Sequence, residues 1–340
     1  MRAPIPRSRF WRVAAVTPPI AGLVVLAVWH GPDLGHVADA FQVVAWEWVA
    51  AAVLINLLSV AVRSTAWRIV LREAFPHTRL RNRSVFAAFC VGLLANAALP
   101  GRVGELARVA VLSRRVRRQG AWATIAGTVF AHRMFDVVAS AALVVYVLYA
   151  ARLPKWAVPG LAIVFGIGLG LLFAGLILAR RRQHTVAEEF GVVRPMLTMA
   201  RAGLVVLHRP APAIGALLFQ LSGWATQLFA VWAAMRAFQI EGSIPAAALV
   251  LILINLATIF PLWPGNVGLV QAAVALPLLS YGIDYPHGIA FGFGLQAIEA
   301  SVGVGLGLAF LAREGFTFAM LKRMPEVTEV ELDERVERIA

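Results

Sequence analysis

Charge is scarce in this chain. Only 14% of its 340 residues are Asp, Glu, Lys or Arg, against 60% apolar, and soluble domains run near a quarter charged. That shortage excludes a soluble globular protein. Cysteine is scarcer still. Cys90 stands alone, which excludes an intrachain disulfide, a zinc ribbon and a CxxC redox pair. The seven His, at 30, 36, 77, 132, 184, 208 and 287, show no HExxH spacing, so neither a metal nor a cofactor is expected. A GxxxxGK[ST] loop is also missing, which argues against ATP-driven transport by this chain alone. Acidic residues are the minority sign: 18 Asp and Glu face 31 Lys and Arg, a net charge of +13. The arginines crowd into short loops beside apolar runs. That placement sets orientation in a membrane and contact with anionic lipid, with no nucleic-acid partner expected.

What is present is apolar length. Runs such as 157–179 are long enough to cross a bilayer, so the sequence predicts an all-α polytopic membrane protein. About six transmembrane helices are expected, near 13–30, 43–62, 121–150, 157–179, 211–237 and 287–312. Arg2, Arg7, Arg9 and Arg12 precede the first run as in a signal sequence, but no small-x-small cleavage site follows. It reads as a retained span. The expected organisation is an N-terminal tail over 1–12, a membrane domain over 13–312 and an acidic tail over 313–340. The repeat halves fall at about 43–150 and 211–312. Residues 191–207 in the loop 180–210 read as an interfacial helix or an ordinary linker helix.

Two further apolar segments, 84–113 and 245–282, share one phrase. Pro100-Gly101-Arg102-Val103-Gly104 returns as Pro264-Gly265-Asn266-Val267-Gly268. Each copy follows a stretch carrying one Asn, Asn96 in the first and Asn255 in the second. Proline removes a backbone donor and glycine admits unusual dihedrals, so the chain can turn there. Lys and Arg concentrate in the N-terminal tail, 63–83, 114–118, 180–210 and the segment from Arg313 onward. The positive-inside rule places these regions and both termini in the cytoplasm. Segment 84–113 then enters from the cytoplasm and turns back, and 245–282 enters from outside and turns back. The expected fold is two opposed re-entrant helical hairpins arranged as an inverted repeat, their tips meeting near the midplane; the alternative is that both segments cross fully, which would place Arg114–Arg118 outside. Each leg, at 15–19 residues, would be roughly 22–28 Å long.

The polar residues in these apolar surroundings are the candidate site. The first tip carries Asn96, Arg102, Glu105 and Arg108. The helix starting near Gly104 offers free N–H groups and Arg102 a two-pronged cation, together suited to a lipid phosphate. The alternative is that Glu105 pairs with Arg102 or Arg108 and simply holds the hairpin. Arg133 and Asp136 lie three apart on the next span, within contact distance. They form either an internal salt bridge or a cavity-facing arginine oriented by the acid. The second tip carries Asn255, Asn266 and Gln271, with Pro261, Pro264, Gly265 and Gly268 shaping the turn as Pro100, Gly101 and Gly104 shape the first. The last span adds Gln296 and Glu299. Glu299 either pairs with Arg102 or Arg108 or serves as a protonatable coupling residue. The six buried charges, Arg102, Arg108 and Arg133 against Glu105, Asp136 and Glu299, sum to zero. Asn56, Gln220 and Gln227 read as helix-packing residues. Trp29, Trp46, Trp48 and Trp156 read as interface anchors.

On Asn96…Leu99-Pro100-Gly101-Arg102-Val103-Gly104-Glu105…Arg108, Arg133-x-x-Asp136 and Pro264-Gly265-x-x-Gly268, the chain resembles the lysylphosphatidylglycerol synthase transmembrane family of flippase-like proteins. The resemblance runs over about 13–312. It carries Gln271 where the family often has Glu. The resemblance implies lipid handling. In the family's namesake this membrane region is thought to move aminoacylated phosphatidylglycerol between leaflets, while a separate soluble domain makes that lipid. No such domain is expected here, so aminoacyl transfer is not carried over.

The expected function is a lipid flippase of the bacterial inner membrane, handling an anionic phospholipid or polyprenyl phosphate. Two rivals stand beside it. One is an intramembrane polyprenyl-phosphate-dependent glycosyl or headgroup transferase using Glu105 or Glu299 as base. The other is a non-transporting scaffold that recruits lipid-pathway enzymes at the cytoplasmic face through loop 180–210 and the acidic tail.

Overall fold

The structure, a computed structural model, describes residues 34–99, 103–116, 121–154, 158–163, 165–166, 170, 203–259 and 264–313. Among these the regular elements are all helical. The expected span 13–30, residues Pro100, Gly101 and Arg102, most of 157–179, residues 191–202 and both tails lie outside the described residues. Val205–His208, at the end of the expected linker helix, form a single 3₁₀ turn.

Among the described residues four helices are long and apolar enough to cross a membrane. We label them α2 (Trp46–Ala74), α5 (Ala121–Ala150), α6 (Pro210–Ala237) and α9 (Tyr285–Arg313). At 1.5 Å per residue each exceeds a hydrocarbon core of about 30 Å. Water is absent from such a core, so a crossing segment must close its hydrogen bonds internally, and a continuous helix does this. Four shorter helices sit between them: α3 (Asn82–Ala98), α4 (Gly104–Ser113), α7 (Ile244–Ala257) and α8 (Leu269–Leu278). A ninth, α1 (Leu34–Gln42), occupies residues expected to be loop and packs on α9.

Two expectations need correction. The second span was expected to end at residue 62, before Arg63, but α2 continues to Ala74. Arg63 turns inward to a carboxylate instead of outward to solvent. The legs of the two hairpins are also unequal. The first legs, α3 and α7, have 17 and 14 residues, while α4 and α8 have 10 each, only about 15 Å of helix.

The packing follows one scheme twice. Within α2–α5, α2 contacts α3 and α5, α3 contacts α4, and α4 contacts α5. Within α6–α9, α6 contacts α7 and α9, α7 contacts α8, and α8 contacts α9. Between the halves, α3 packs on α9 and α7 packs on α5. The corresponding spans α2 and α6 lie side by side and run antiparallel. Trp48 meets Trp232 with ring centroids 5.7 Å apart. Near the middle the Ser59 hydroxyl donates to the Gly223 carbonyl at 2.8 Å. At the far end Arg209 reaches Glu73 at 3.1 Å. Glycine makes the hairpins tight, since a Cβ on Gly104 would lie 2.2 Å from the Gly92 carbonyl oxygen.

Candidate functional site

Each break between short helices is closed by a side-chain amide. In the first hairpin the Gly104 N–H, an orphan donor at the start of α4, donates to Asn96 Oδ1 at 2.8 Å. In the second, the Gly268 N–H donates to Gln271 Oε1 at 2.6 Å. Gly265 and Gly268 have φ of 71° and 91°, in the left-handed region that glycine enters without steric cost. Asn266 Nδ2 donates to the Ala257 carbonyl at 3.1 Å, bridging the turn. Asn255, the second half's counterpart to Asn96, donates to Leu251 on its own helix at 2.8 Å and closes no break.

Behind the first hairpin lies an ionic clasp. Asp136 on α5 accepts from four side chains on three helices. Arg63 of α2 donates at 3.1 Å, Arg133 of α5 at 3.0 Å and Trp224 of α6 at 3.0 Å, and Gln220 of α6 donates as well. Arg133 also donates to Glu105 on α4, which ties the hairpin to the span. The expected contact between Arg133 and Asp136 is present. Glu105, however, is held by Arg133, where Arg102 or Arg108 was the expected partner. His132 is buried, with Nε2 3.3 Å from the Arg63 carbonyl.

Arg108 does not join this cluster at a cavity wall. It is buried, its guanidinium 5.1 Å from the Trp67 ring centroid and 5.7 Å from that of Phe89. Such stacking stabilises a desolvated guanidinium through the ring quadrupole. The phosphate role expected of Arg108 is therefore not supported by its position.

A second clasp sits in the other half. Glu299 on α9 accepts from Gln227 of α6 at 3.0 Å. Gln296, three residues before it, donates to the Gly265 carbonyl of the second turn and accepts from Gln271 at 2.7 Å. Of the two arginines named as its alternative partners, Arg108 stacks on Trp67 and Phe89, and Arg102 lies outside the described residues.

A cavity of about 380 Å³ opens where both hairpins end. Its polar wall includes Arg63, Arg133, Glu299, Asn96, Asn255 and Gln296, and Asn56, Gln227 and Asn266 also reach it. A neighbouring cavity of about 270 Å³ is more apolar, lined by Val137, Val144, Leu161, Phe165, Ile252 and Ile259 among others. Arg63, Arg133 and Asn255 face both cavities. Gln271 stands one layer back, behind Gln296. Among the described residues no group of three His, Cys, Asp or Glu could hold a metal ion.

Sequence reasoning missed Arg63, Gln220, Trp224 and Gln227. Arg63 also breaks the balance expected of the six buried charges, because it adds a cation to the set. A signal was there. Asn56 and Arg63 stand seven apart on α2, as do Gln220 and Gln227 on α6, each a polar stripe on one helix face.

These features define a class: a multi-pass helical membrane protein with a polar cavity at the ends of two broken helical hairpins. The chain belongs to the lysylphosphatidylglycerol synthase TM region family, which it matches over residues 10–327. It is also similar to a UPF0104 membrane protein of Methanothermobacter thermautotrophicus, 23% identical over 284 residues, 77% of this chain and 81% of that protein. No solved structure matches it.

Proposed function

We propose that this protein moves a phosphate-bearing lipid, of phospholipid or polyprenyl-phosphate type, between the leaflets of a bacterial inner membrane. The observation that carries the reading is the cavity at the hairpin ends, with two arginine side chains on one wall and apolar space beyond them. Guanidinium groups match phosphate geometry with paired donors. Arg63 and Arg133 bind the headgroup phosphate while Asp136 holds them in place. Asn96, Asn255, Asn266 and Gln296 offer the rest of the headgroup neutral partners. The neighbouring apolar cavity takes the start of the lipid chain.

The hairpins are re-entrant in this reading, and the two halves form an inverted repeat. The antiparallel course of α2 and α6 supports it, because corresponding spans of an inverted repeat cross in opposite directions. Lys and Arg distribution supports cytoplasmic termini. Movement alternates access to the cavity from one leaflet and the other. The rival transferase reading loses one of its bases, since Glu105 is held by Arg133.

Native mass spectrometry with lipid identification tests the binding step on gently purified wild type and Arg63→Gln. Wild type is expected to retain a phosphate lipid that the variant, still folded and monodisperse, releases. Equal retention in both, or none in either, overturns the role of this cavity.

A further inference from the structure

The two clasps are one device built twice. Counted from the start of their helices, Arg63 on α2 and Gln227 on α6 occupy the same place. Each donates to a carboxylate on the closing span of its half, Asp136 or Glu299. Three residues before each carboxylate stands the side chain that ties span to hairpin, Arg133 to Glu105 and Gln296 to Gly265. The chemistry differs in one respect. Where the first clasp has two arginines, the second has two glutamines. Asp136 accepts from two arginines as well as an amide and an indole, whereas the donor to Glu299 is the amide of Gln227.

We propose that Glu299 is the proton-binding site of the central cavity, taking a proton from water onto one carboxylate oxygen when an anion occupies Arg63 and Arg133. Glu299 is half-buried, and its hydrogen-bond donor is a neutral amide and not a cation. An ionised carboxylate there is less well compensated than Asp136 and is the acid more readily neutralised by a proton. The groups that share its cavity were examined element by element. Arg63 comes from α2 and Arg133 from α5, and both point their donors at the first clasp. α3, α6, α7 and α9 contribute Asn96, Gln227, Asn255 and Gln296, none of which titrates. Arg102 lies outside the described residues. No second carboxylate lines this cavity among the described residues, and no group of three His, Cys, Asp or Glu is found there to hold a metal ion. The proton is the cation that one carboxylate and one amide can accommodate.

The consequence follows by linkage. An anion entering beside ionised Glu299 meets a like charge in a low-dielectric space, and protonation removes that repulsion. Proton and anion therefore each favour the other's binding, and the coupling is reciprocal. This rests on the translocase reading for its meaning, since a lipid phosphate would cross accompanied by a proton.

The test uses full-length protein in nanodiscs, as wild type, Glu299→Gln and Glu299→Asp. Infrared difference spectra between mildly acidic and mildly alkaline buffer are recorded first. A protonated-carboxyl C=O band is expected in wild type, absent from Glu299→Gln and shifted in Glu299→Asp. Binding of a tail-labelled phosphatidylglycerol is then measured in both buffers. Wild type is expected to bind it several-fold more tightly in acid, and Glu299→Gln to bind equally in both. A carboxyl band that survives Glu299→Gln, or identical pH dependence of binding in wild type and variant, overturns the proposal. If Glu299→Gln does not fold, the displaced band in Glu299→Asp decides it. A band lost in the Gln variant with no probe bound by any form supports the proton site and counts against lipid translocation instead.

Discussion

Asp136 shows how a single buried acid organises this protein. Its carboxylate takes donors from α2, α5 and α6, so its loss would leave Arg63 without its acid and Arg133 with Glu105 alone. Breaking a buried ion pair by removing one partner costs about 3–5 kcal/mol. Asp136→Ala is expected to lower thermal stability in detergent by that order, and an unchanged melting curve would mean the clasp carries no structural weight. Part of the clasp could be read in the chain. Arg133 and Asp136 fall three apart on one helix, and local spacing sets that contact. Arg63 could not be recognised by the same means. It follows an apolar run and leads into a stretch with Arg68 and Arg72, where positive charge ordinarily marks a span's end. Only the partner acid on another helix explains why it turns inward, and that pairing spans 73 residues of sequence. Glu105 shows the same limit, since its true partner lies on the next span and not on its own helix.

At the scale of elements, glycine decides how closely helices approach. A Cβ on Gly104 would press on the Gly92 carbonyl and on Asn96, the residue that closes the break. Overpacking of this kind costs about 1–3 kcal/mol. Gly104→Ala is expected to destabilise the protein by that amount. Gly305→Ala, where nothing lies within 4 Å, is the matched control and should be silent. Equal melting temperatures for the two variants would show that the first hairpin does not depend on this approach. The elements themselves were legible where apolar length and turn chemistry coincide. Span 121–150 and the two interrupted segments emerge close to their expected places. The short second legs were not legible because each begins late: α4 starts only at Gly104 and α8 at Leu269, past the Pro-Gly phrase, and apolar content alone does not show where a helix resumes after a break. Helix α1 was missed because at nine residues it is too short to stand out from a loop.

The whole molecule is best described as one packing scheme used twice, with the first hairpin resting on the second half's closing span and the reverse. This exchange brings both breaks to one cavity, which neither half could build alone. The repeated Pro-Gly phrase announced the duplication. The seven-residue polar stripes on α2 and α6 carried it further than the phrase did, because they mark the donors of both clasps. The halves differ in charge: one clasp is built with arginines and the other with amides. That asymmetry places two arginines at one end of the cavity and, among the described residues, a carboxylate hydrogen-bonded to an amide at the other.

The central claim is that lipid moves through this cavity, and leaflet transfer in sealed vesicles tests it most directly. Purified wild type and Arg63→Gln are reconstituted, and tail-labelled phosphatidylglycerol and a labelled polyprenyl phosphate are each followed by quenching of the outer leaflet. The account predicts rapid exchange of at least one of the two lipids with wild type, slowed toward the protein-free rate by Arg63→Gln. Folded wild type that exchanges both lipids no faster than protein-free vesicles would contradict it.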